Sequence, residues 1–336
     1  MICARYYKKT FQFKRPSGTS RGVLTEKHAW FLEVSNSEAP EIIGIGECSI
    51  IPGLSPDFDS FEKYEAQLDA LCEDLSLDLS HWPSIKFGLE TALLDLQNEG
   101  KRIIFDNAFT RGELQIPING LIWMGDSHFM QTQIEEKLKA GFTTIKMKIG
   151  AIDFDSEIEL LKLIRKRYSK NEITLRVDAN GAFTPHEALS KLAILSELDI
   201  HSIEQPIKAG QWDEMKQLCS KTKLPIALDE ELIGIHLRSE KQKLIEHINP
   251  QYIILKPSLH GGISGTQEWI EIAESFNIPW WITSALESNI GLNAICQLTA
   301  QYTTTLPQGL GTGSLYVNNI PSHLAVSNGF ISLKED

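Results

Sequence analysis

The chain has 336 residues, of which 42% are hydrophobic and 23% charged, and its formal net charge is −12. This length suits one large domain with a smaller one, and the composition is that of a soluble globular protein. The acidic balance and the lack of a basic cluster argue against a nucleic-acid-binding protein, and no apolar run reaches the length of a transmembrane helix.

The N-terminal sequence and the cysteines indicate where the protein works. The first residues are basic but contain no continuous apolar segment, so they do not form a secretory signal. The five cysteines are odd in number, widely spaced and free of C-x-x-C pairs. We therefore expect reduced thiols, buried as small hydrophobic side chains, in a cytoplasmic protein.

The first hundred residues have the pattern of a small α+β domain. Three strand-like segments, 4–13, 30–34 and 42–47, are joined by turn-rich sequence. Two amphipathic helices are expected at 61–75 and 84–99. The stretch 15–22 is rich in glycine and small hydroxyl residues and carries two arginines. It suits either a mobile loop over a site or an ordinary hairpin connection.

From about residue 114, strands and helices alternate. Strands are expected at 116–123, 143–149, 172–178, 201–204, 225–229, 252–256, 279–283 and 303–306, with a helix after each of the first seven. Eight strands and seven helices in roughly 200 residues are typical of a TIM-type (β/α)7β barrel. A doubly wound open sheet is the alternative, but no G-x-G-x-x-G follows a first strand.

These elements predict two domains. An α+β capping domain is expected at 1–112, and the modified barrel, carrying the active site, at 113–314. The final segment, 315–336, lacks the alternation of strand and helix, and we expect it to return to the capping domain.

Five of the expected barrel strands end on an ionisable residue that follows an apolar one. These residues are Lys148, Asp178, Glu204, Asp229 and Lys256. Alternation along each strand turns such a residue towards the inside of a barrel, and barrel enzymes keep their catalytic residues at these strand ends. Scattered salt bridges would explain any one of them. They are a poor explanation for all five in register, because burying an unpaired ion costs on the order of several kcal/mol.

Three of these strand ends, Asp178, Glu204 and Asp229, are carboxylates. Converging carboxylates cannot all remain ionised unless a cation joins them, and an all-oxygen ligand set favours a hard ion, Mg²⁺ ahead of Ca²⁺ or Zn²⁺. A base, a metal and a further cation are what proton removal next to a carboxylate requires. Lys146 lies on the same strand face as Lys148, and apolar residues fill the opposite face, so neither lysine has an easy route to solvent. Burial and the neighbouring positive charge predict a depressed lysine pKa.

The motifs at the strand ends, taken as a set, resemble the muconate-lactonizing-enzyme group of the enolase superfamily. They are Lys146-x-Lys148, Asp178-Ala179-Asn180, Glu204-Gln205-Pro206, Asp229-Glu230 and Leu255-Lys256-Pro257. Within that group the chain is similar to the o-succinylbenzoate synthase family, on Thr19-Ser20-Arg21-Gly22, on Ser284-Ala285-Leu286-Glu287-Ser288 and on its short length. The resemblance covers nearly the whole chain.

The resemblance implies a reaction on a small carboxylate, with no nucleic acid or membrane as partner. This reaction is the syn dehydration of 2-succinyl-6-hydroxy-2,4-cyclohexadiene-1-carboxylate to o-succinylbenzoate, in menaquinone biosynthesis. Lys148 would remove the proton next to the carboxylate and return it to the leaving hydroxyl, while Lys256 would stabilise the enediolate. The implied ligands of Mg²⁺, or of Mn²⁺ as its substitute, are Asp178, Glu204 and Asp229.

The resemblance also implies supporting residues. Lys146, Asn180 and Glu230 would assist the catalytic groups, and Arg21 and Ser284 are candidates for substrate contact. Lysines on both sides of a carbon acid could equally catalyse racemisation. The alternative is therefore an N-succinylamino-acid racemase, or another lysine/lysine racemase or epimerase of the superfamily. Dipeptide epimerases usually carry Asp-x-Asp after the last strand, where this chain has glycines and no acid.

Overall fold

In the computed structural model, which describes residues 1–19, 22–150 and 152–334, the chain begins with a three-stranded antiparallel sheet. Its strands, in order across the sheet, are β1 (Ile2–Thr19), β2 (Gly22–Asn36) and β3 (Ala39–Ser49). The sequence predicted all three, but shorter than they are. Both β1 and β2 extend into 15–22, as the hairpin interpretation expects, but residues 20–21 lie outside the described residues, and the choice between the two interpretations stays a prediction.

Two helices pack against this sheet. They are α1 (Phe61–Glu73), whose N-terminus is capped by the Ser60 side chain, and α2 (Pro83–Gln97). Helix α2 lies very close to β3 because glycine occupies position 46. A Cβ there would lie 1.8 Å from the carbonyl oxygen of Gly88. Alternate residues of β2, such as Trp30 and Leu32, are thereby fully buried under the helices.

The remaining chain is built on a curled parallel sheet of seven strands. These are β5 (Gly120–Ile122), β6 (Thr144–Lys148), β7 (Thr174–Asp178), β8 (Ser202–Glu204), β9 (Ile226–Leu228), β10 (Tyr252–Leu255) and β11 (Trp280–Ile282), paired in chain order. The helices that follow them are α3 (Ser127–Lys139), α4 (Phe154–Arg167), α5 (Pro185–Ser196), α6 (Trp212–Lys221), α7 (Arg238–Ile248), α8 (Gly262–Ser275) and α9 (Asn289–Thr299). The predicted β-α alternation is present over this range.

A complete eight-stranded barrel is not confirmed. The described residues contain no strand at 303–306, so the predicted eighth strand is wrong. In its place, single bridges join Gln308 to Ile118 and Gly309 to Thr283, next to the two edge strands of the sheet. The Gln308 side chain accepts a hydrogen bond from the Ile282 amide at 2.7 Å, and Pro307 has no amide hydrogen to donate. A side chain thus takes a place that a regular strand would fill with backbone.

The predicted strand 116–123 is two strands with different partners. Residues Ile116–Pro117 form β4, which pairs with the C-terminal hairpin of β12 (Leu324–Ser327) and β13 (Phe330–Leu333), and the later part is β5. In the described part of the final segment, residues 315–318 return to the antiparallel sheet, where the amide of Val317 donates to the Gln12 carbonyl at 2.9 Å. The division into domains at 112/113 and 314/315 stays a prediction.

Two glutamates from the N-terminal part, the buried Glu47 and the half-buried Glu90, lie at the N-termini of helices that follow the parallel strands. Glu47 of β3 accepts hydrogen bonds from the amides of Ser288 and Gly291 at the start of α9, at 2.8 and 2.9 Å. Glu90 of α2 accepts from the amide of Ile263 near the start of α8 at 2.5 Å. Amides in the first turn of a helix lack intrahelical partners and favour a negative charge. Each carboxylate therefore stabilises a helix far away in sequence.

The cysteines and the helices bear on two further expectations. Cys48, Cys219 and Cys296 are buried, but Cys3 is exposed, so the expectation of a buried thiol is wrong there. Cys3 lies at the start of the edge strand β1, where one side faces solvent. None of the helices in the described part of the chain combines the length and apolar character that crossing a membrane requires.

Candidate active site

A cavity lies at the carboxyl ends of the parallel strands, where the sequence placed the ionisable residues. It has a volume of about 200 Å³, and Lys146, Lys148, Asp178, Glu204 and Lys256 all line it. These residues are at most 9% exposed. On β6 the intervening residues, among them Ile145 and Met147, are fully buried against the helix layer, which is what the alternation of the strand predicted.

Three lysine ammonium groups pair with the three strand-end carboxylates. Lys146 Nζ lies 2.5 Å from Glu204 Oε2 and 3.1 Å from Asp178 Oδ2. Lys148 Nζ lies 2.9 Å from the same Asp178 oxygen, and Lys256 forms an ion pair with Asp229. These ion pairs follow one another along the strand ends from β6 to β10 and bring together six residues between positions 146 and 256.

The three carboxylates have different affinities for a proton. Burial raises the pKa of Glu204 well above its usual value, and the charge of Asp178 raises it further, against the effect of Lys146. Burial acts in the same direction on Asp178, but Lys146 and Lys148 outweigh it and hold the pKa of Asp178 far below its usual range. Lys256 likewise lowers the pKa of Asp229 against burial.

The carboxylates provide oxygen donors suited to a divalent cation. Glu204 Oε1 and Asp229 Oδ1 are both buried without a hydrogen-bond donor. Orphaned acceptors of this kind are costly unless a cation or a proton compensates them. No group of three or more His, Cys, Asp and Glu side chains within 1–19, 22–150 and 152–334 is arranged as a finished metal site. Lys146 and Lys256 pair with the other oxygen of each of these two carboxylates. The all-oxygen donor set fits Mg²⁺.

The lysine pKa values correct one expectation. Burial by itself would lower the pKa of Lys146, but the charges of Asp178 and Glu204 outweigh it and raise the pKa above its usual value. Burial and Asp229 oppose each other in the same way at Lys256, whose pKa is also raised. The predicted depression of the lysine pKa is therefore wrong for Lys146. Contact with carboxylates stabilises its ammonium form more than burial destabilises it.

Three further polar side chains form hydrogen bonds beside the charged groups: Asn180, Glu230 and Gln205. Asn180 Oδ1 accepts from Lys148 at 2.7 Å, and its Nδ2 donates to Glu230 at 3.0 Å. The structure thus places both residues beside the site, as the sequence placed them. Gln205 Oε1 accepts from the Asp229 amide at 3.1 Å and so fixes the start of that carboxylate's segment. The sequence analysis gave Gln205 no role, although it stands inside the Glu-Gln-Pro motif.

The cavity wall away from the strand-end lysines and carboxylates is largely apolar. Ser284 lies there, with its Oγ 2.6 Å from Thr312 Oγ1. Arg21 lies outside the described residues. The sequence analysis missed several lining residues, because nothing in a single sequence marks which apolar side chains meet across domains. They are Val23 and Leu24 from β2, Ile51, Pro52 and Leu54 from the loop after β3, and Leu121 and Trp123 from β5 and the residue after it.

Comparison with known proteins assigns the family. Residues 130–336 match the family described as Enolase C-terminal domain-like. An o-succinylbenzoate synthase from Desulfotalea psychrophila is 47% identical to this chain, over 98% of each. The chain belongs to the enolase superfamily. Among solved structures, that of MenC from Desulfotalea psychrophila LSv54 is 43% identical in sequence and superposes with a TM-score of 0.88 over 98% of this chain and 99% of that one.

More distant superfamily members share the fold alone. A dipeptide epimerase from Enterococcus faecalis, solved with Mg and the dipeptide L-Leu-L-Tyr, has a TM-score of 0.84 over 99% of this chain and 97% of its own. Its sequence identity is 19%. A fold preserved at such low identity carries different reactions within the superfamily, so the side chains of the site must decide the chemistry.

Proposed function

We propose that this enolase-superfamily protein dehydrates 2-succinyl-6-hydroxy-2,4-cyclohexadiene-1-carboxylate to o-succinylbenzoate, in menaquinone biosynthesis. One observation carries the proposal: the 47% identity with an o-succinylbenzoate synthase extends over 98% of both chains. The complete set of lysines and carboxylates at the strand ends supports it. A cytoplasmic location and Mg²⁺ dependence belong to the same proposal.

Asp178, Glu204 and Asp229 are the residues we propose for Mg²⁺. The orphaned oxygens of Glu204 and Asp229 support this choice, and the Enterococcus faecalis epimerase was solved with Mg. When bound, the ion would supply positive charge for the substrate carboxylate and for the charge that develops on it. The remaining contributions to the reaction come from the lysines.

Lys148 is proposed as the base that removes the proton next to the substrate carboxylate. Its ammonium group donates to Asp178 and Asn180, two contacts that fix the nitrogen at the rim of the cavity. In its neutral form the same nitrogen can accept the proton as the carbon–hydrogen bond breaks. The protonated Lys148 then donates to the departing hydroxyl on the same face. The carbon–oxygen bond breaks, water leaves and the ring becomes aromatic, so the proton removed in the first step is the proton that leaves in the water.

Lys256 and Lys146 are proposed to hold positive charge near the reacting carbon. The pKa of Lys256 is raised, against the effect of burial, by the charge of Asp229, so it remains an ammonium group at neutral pH. A fixed cation in a buried cavity stabilises the enediolate more strongly than a solvated one does. The raised pKa of Lys146 gives it the same charged state and makes it unsuited to act as the base.

Racemisation of an N-succinylamino acid is the second candidate. Lys148 pairs with Asp178 and Lys256 with Asp229, so two lysines approach the cavity from strands that are separated by β7, β8 and β9. This arrangement would allow one lysine to remove a proton and the other to supply one. The comparison with the epimerase favours it less, because that likeness is one of fold alone.

The two candidates can be separated in parallel assays with Mg²⁺. Formation of the aromatic product would be followed with the cyclohexadiene carboxylate, and exchange of the alpha proton in D₂O with N-succinyl amino acids. We expect efficient dehydration that a chelator abolishes and added Mg²⁺ restores. Rapid alpha-proton exchange without dehydration would overturn the proposal in favour of racemisation. Lys256→Ala should impair both reactions, which makes it the control for a shared site.

A further inference from the structure

Two hydrogen bonds from the N- and C-terminal parts of the chain hold the turn that follows β11. The carbonyl of Ala285 accepts from Lys27 on β2, and the carbonyl of Leu286 accepts from the Tyr316 hydroxyl at 2.6 Å. Both donors are buried, at 4% and 2% exposure. Neither belongs to the parallel strands, since Lys27 pairs across β1 and Tyr316 packs against the rings of the antiparallel sheet.

The turn needs such support because its backbone is strained. Leu286 has a φ of +64°, a left-handed conformation that non-glycine residues rarely adopt. Such a conformation persists where the surroundings fix it, and it is common at functional sites. Ser284, Ala285 and Leu286 all line the cavity described above. The strained turn is therefore a wall of the candidate active site.

Lys27 also supplies charge to an acidic group of side chains at this turn. It faces the carboxylates of Glu287 and Glu47, and their charges oppose the burial that lowers the pKa of Lys27 to about 8. Glu47 is satisfied by the start of α9, and Glu287 Oε1 accepts from Ser258 at 2.5 Å. Glu287 Oε2 is buried without a hydrogen-bond partner. A neutral residue at position 27 would leave these two acids without a facing cation.

We infer that Lys27 and Tyr316 are positioning residues for substrate: they fix the turn 284–286 in the conformation that forms the cavity wall. The inference rests on the proposed function for the identity of the substrate. Both residues bind the turn and not the strand-end lysines or carboxylates. Their loss should therefore weaken substrate binding more than it slows proton transfer by Lys148.

The test compares Tyr316→Phe, Lys27→Met and Lys27→Arg with the wild type in the dehydration assay. Tyr316→Phe removes one oxygen and no charge, so it carries the test if Lys27→Met does not fold. We expect KM to rise about tenfold, the factor that about 1.4 kcal/mol produces, with a smaller change in kcat. Lys27→Arg keeps the charge and should recover part of the loss. Glu90→Ala is the matched control, because it weakens the same interface at α8 without contacting the turn.

Hydrogen exchange gives a readout that does not depend on the reaction. The amides of 283–288 should exchange faster in Tyr316→Phe and Lys27→Met than in the wild type, and at an unchanged rate in Glu90→Ala. An unchanged KM in Tyr316→Phe and Lys27→Met would overturn the inference. A wild-type protein without dehydratase activity would instead overturn the proposed function. Unchanged exchange at 283–288 would in that case overturn the positioning role on its own.

Discussion

Lys148→Ala should abolish dehydration and leave the protein folded. The alanine removes both the group proposed to take the proton and the group proposed to return it. A positioned acid or base typically contributes a factor of about 10² to 10⁴, so we expect kcat to fall by at least about 10³. Binding of Mg²⁺ should persist, because Lys148 is not one of the proposed ligands.

The contacts of Lys148 set the size of the stability change. Its ammonium group makes two hydrogen bonds, to Asp178 at 2.9 Å and to Asn180 at 2.7 Å, each contributing about 1–1.5 kcal/mol. Asp178 is not left unpaired, because Lys146 remains 3.1 Å away. The variant also avoids the desolvation of a buried ammonium group. We therefore expect the free energy of unfolding to fall by about 1–2 kcal/mol. This is small compared with the roughly 5–15 kcal/mol that is typical of a domain.

The assay must separate catalysis from folding. Steady-state dehydration would be measured next to urea unfolding for Lys148→Ala and for Lys162→Ala. Lys162 lies on the outer surface of α4, is paired with Glu159 at 2.8 Å and is more than half exposed, so its loss should leave kcat unchanged. A kcat for Lys148→Ala within tenfold of the wild type, in a folded variant, would refute the assignment of the base.

Three further changes test the metal, the domain contact and a buried acid. Asp229→Asn removes the carboxylate that pairs with Lys256. It should abolish the rise in Tm that Mg²⁺ produces in the wild type, and an equal rise in the variant would exclude Asp229 as a ligand. Glu90→Ala should lower the free energy of unfolding by about 1–2 kcal/mol, measured with urea, because α8 loses its carboxylate cap; an unchanged midpoint would contradict this. Burial raises the pKa of Asp57 to about 6, despite its hydrogen bonds from Ser84. The folded state therefore holds the Asp57 proton more tightly than the unfolded chain does, and the protein loses stability as the pH rises from about 4 to 6. The free energy of unfolding of Asp57→Asn should therefore rise relative to that of the wild type across this pH range, by on the order of 2–3 kcal/mol at pH 7. A difference in the free energy of unfolding that does not change with pH would contradict this.

The charged residues at the strand ends could be predicted from the sequence. Alternation on β6 predicts which residues face the helices, and the burial of Ile145 and Met147 agrees with it. Regular spacing of one charged residue per β-α unit predicts that Asp178 and Glu204 lie on neighbouring strands, and they are register partners in the structure. Local periodicity is sufficient for such features because each depends on only a few adjacent residues.

Features that depend on distant contacts were not predictable from local patterns. The apolar and β-branched residues at 303–306 suggest a strand, but the Gln308 side chain takes part of its backbone pairing. The pKa of Lys146 depends on how closely Asp178 and Glu204 approach it, which spacing along the chain does not give. Lys27 likewise lies between two predicted strands in the sequence, and nothing near it indicates that the fold brings Ala285, 258 residues away, against it.

The two glutamates at the helix N-termini are synthesised long before the helices that they contact. Glu47 leaves the ribosome 241 residues before Ser288, and Glu90 leaves it 173 residues before Ile263. During that interval both carboxylates remain hydrated, and the early sheet and helices lack the surface that later covers them. Contacts over such separations form slowly. The core between the early sheet and α1 and α2 can form first, but these two carboxylates reach their native partners only after α8 and α9 have been made. A chain truncated before α8 would therefore expose this face and become a target for chaperones and proteases.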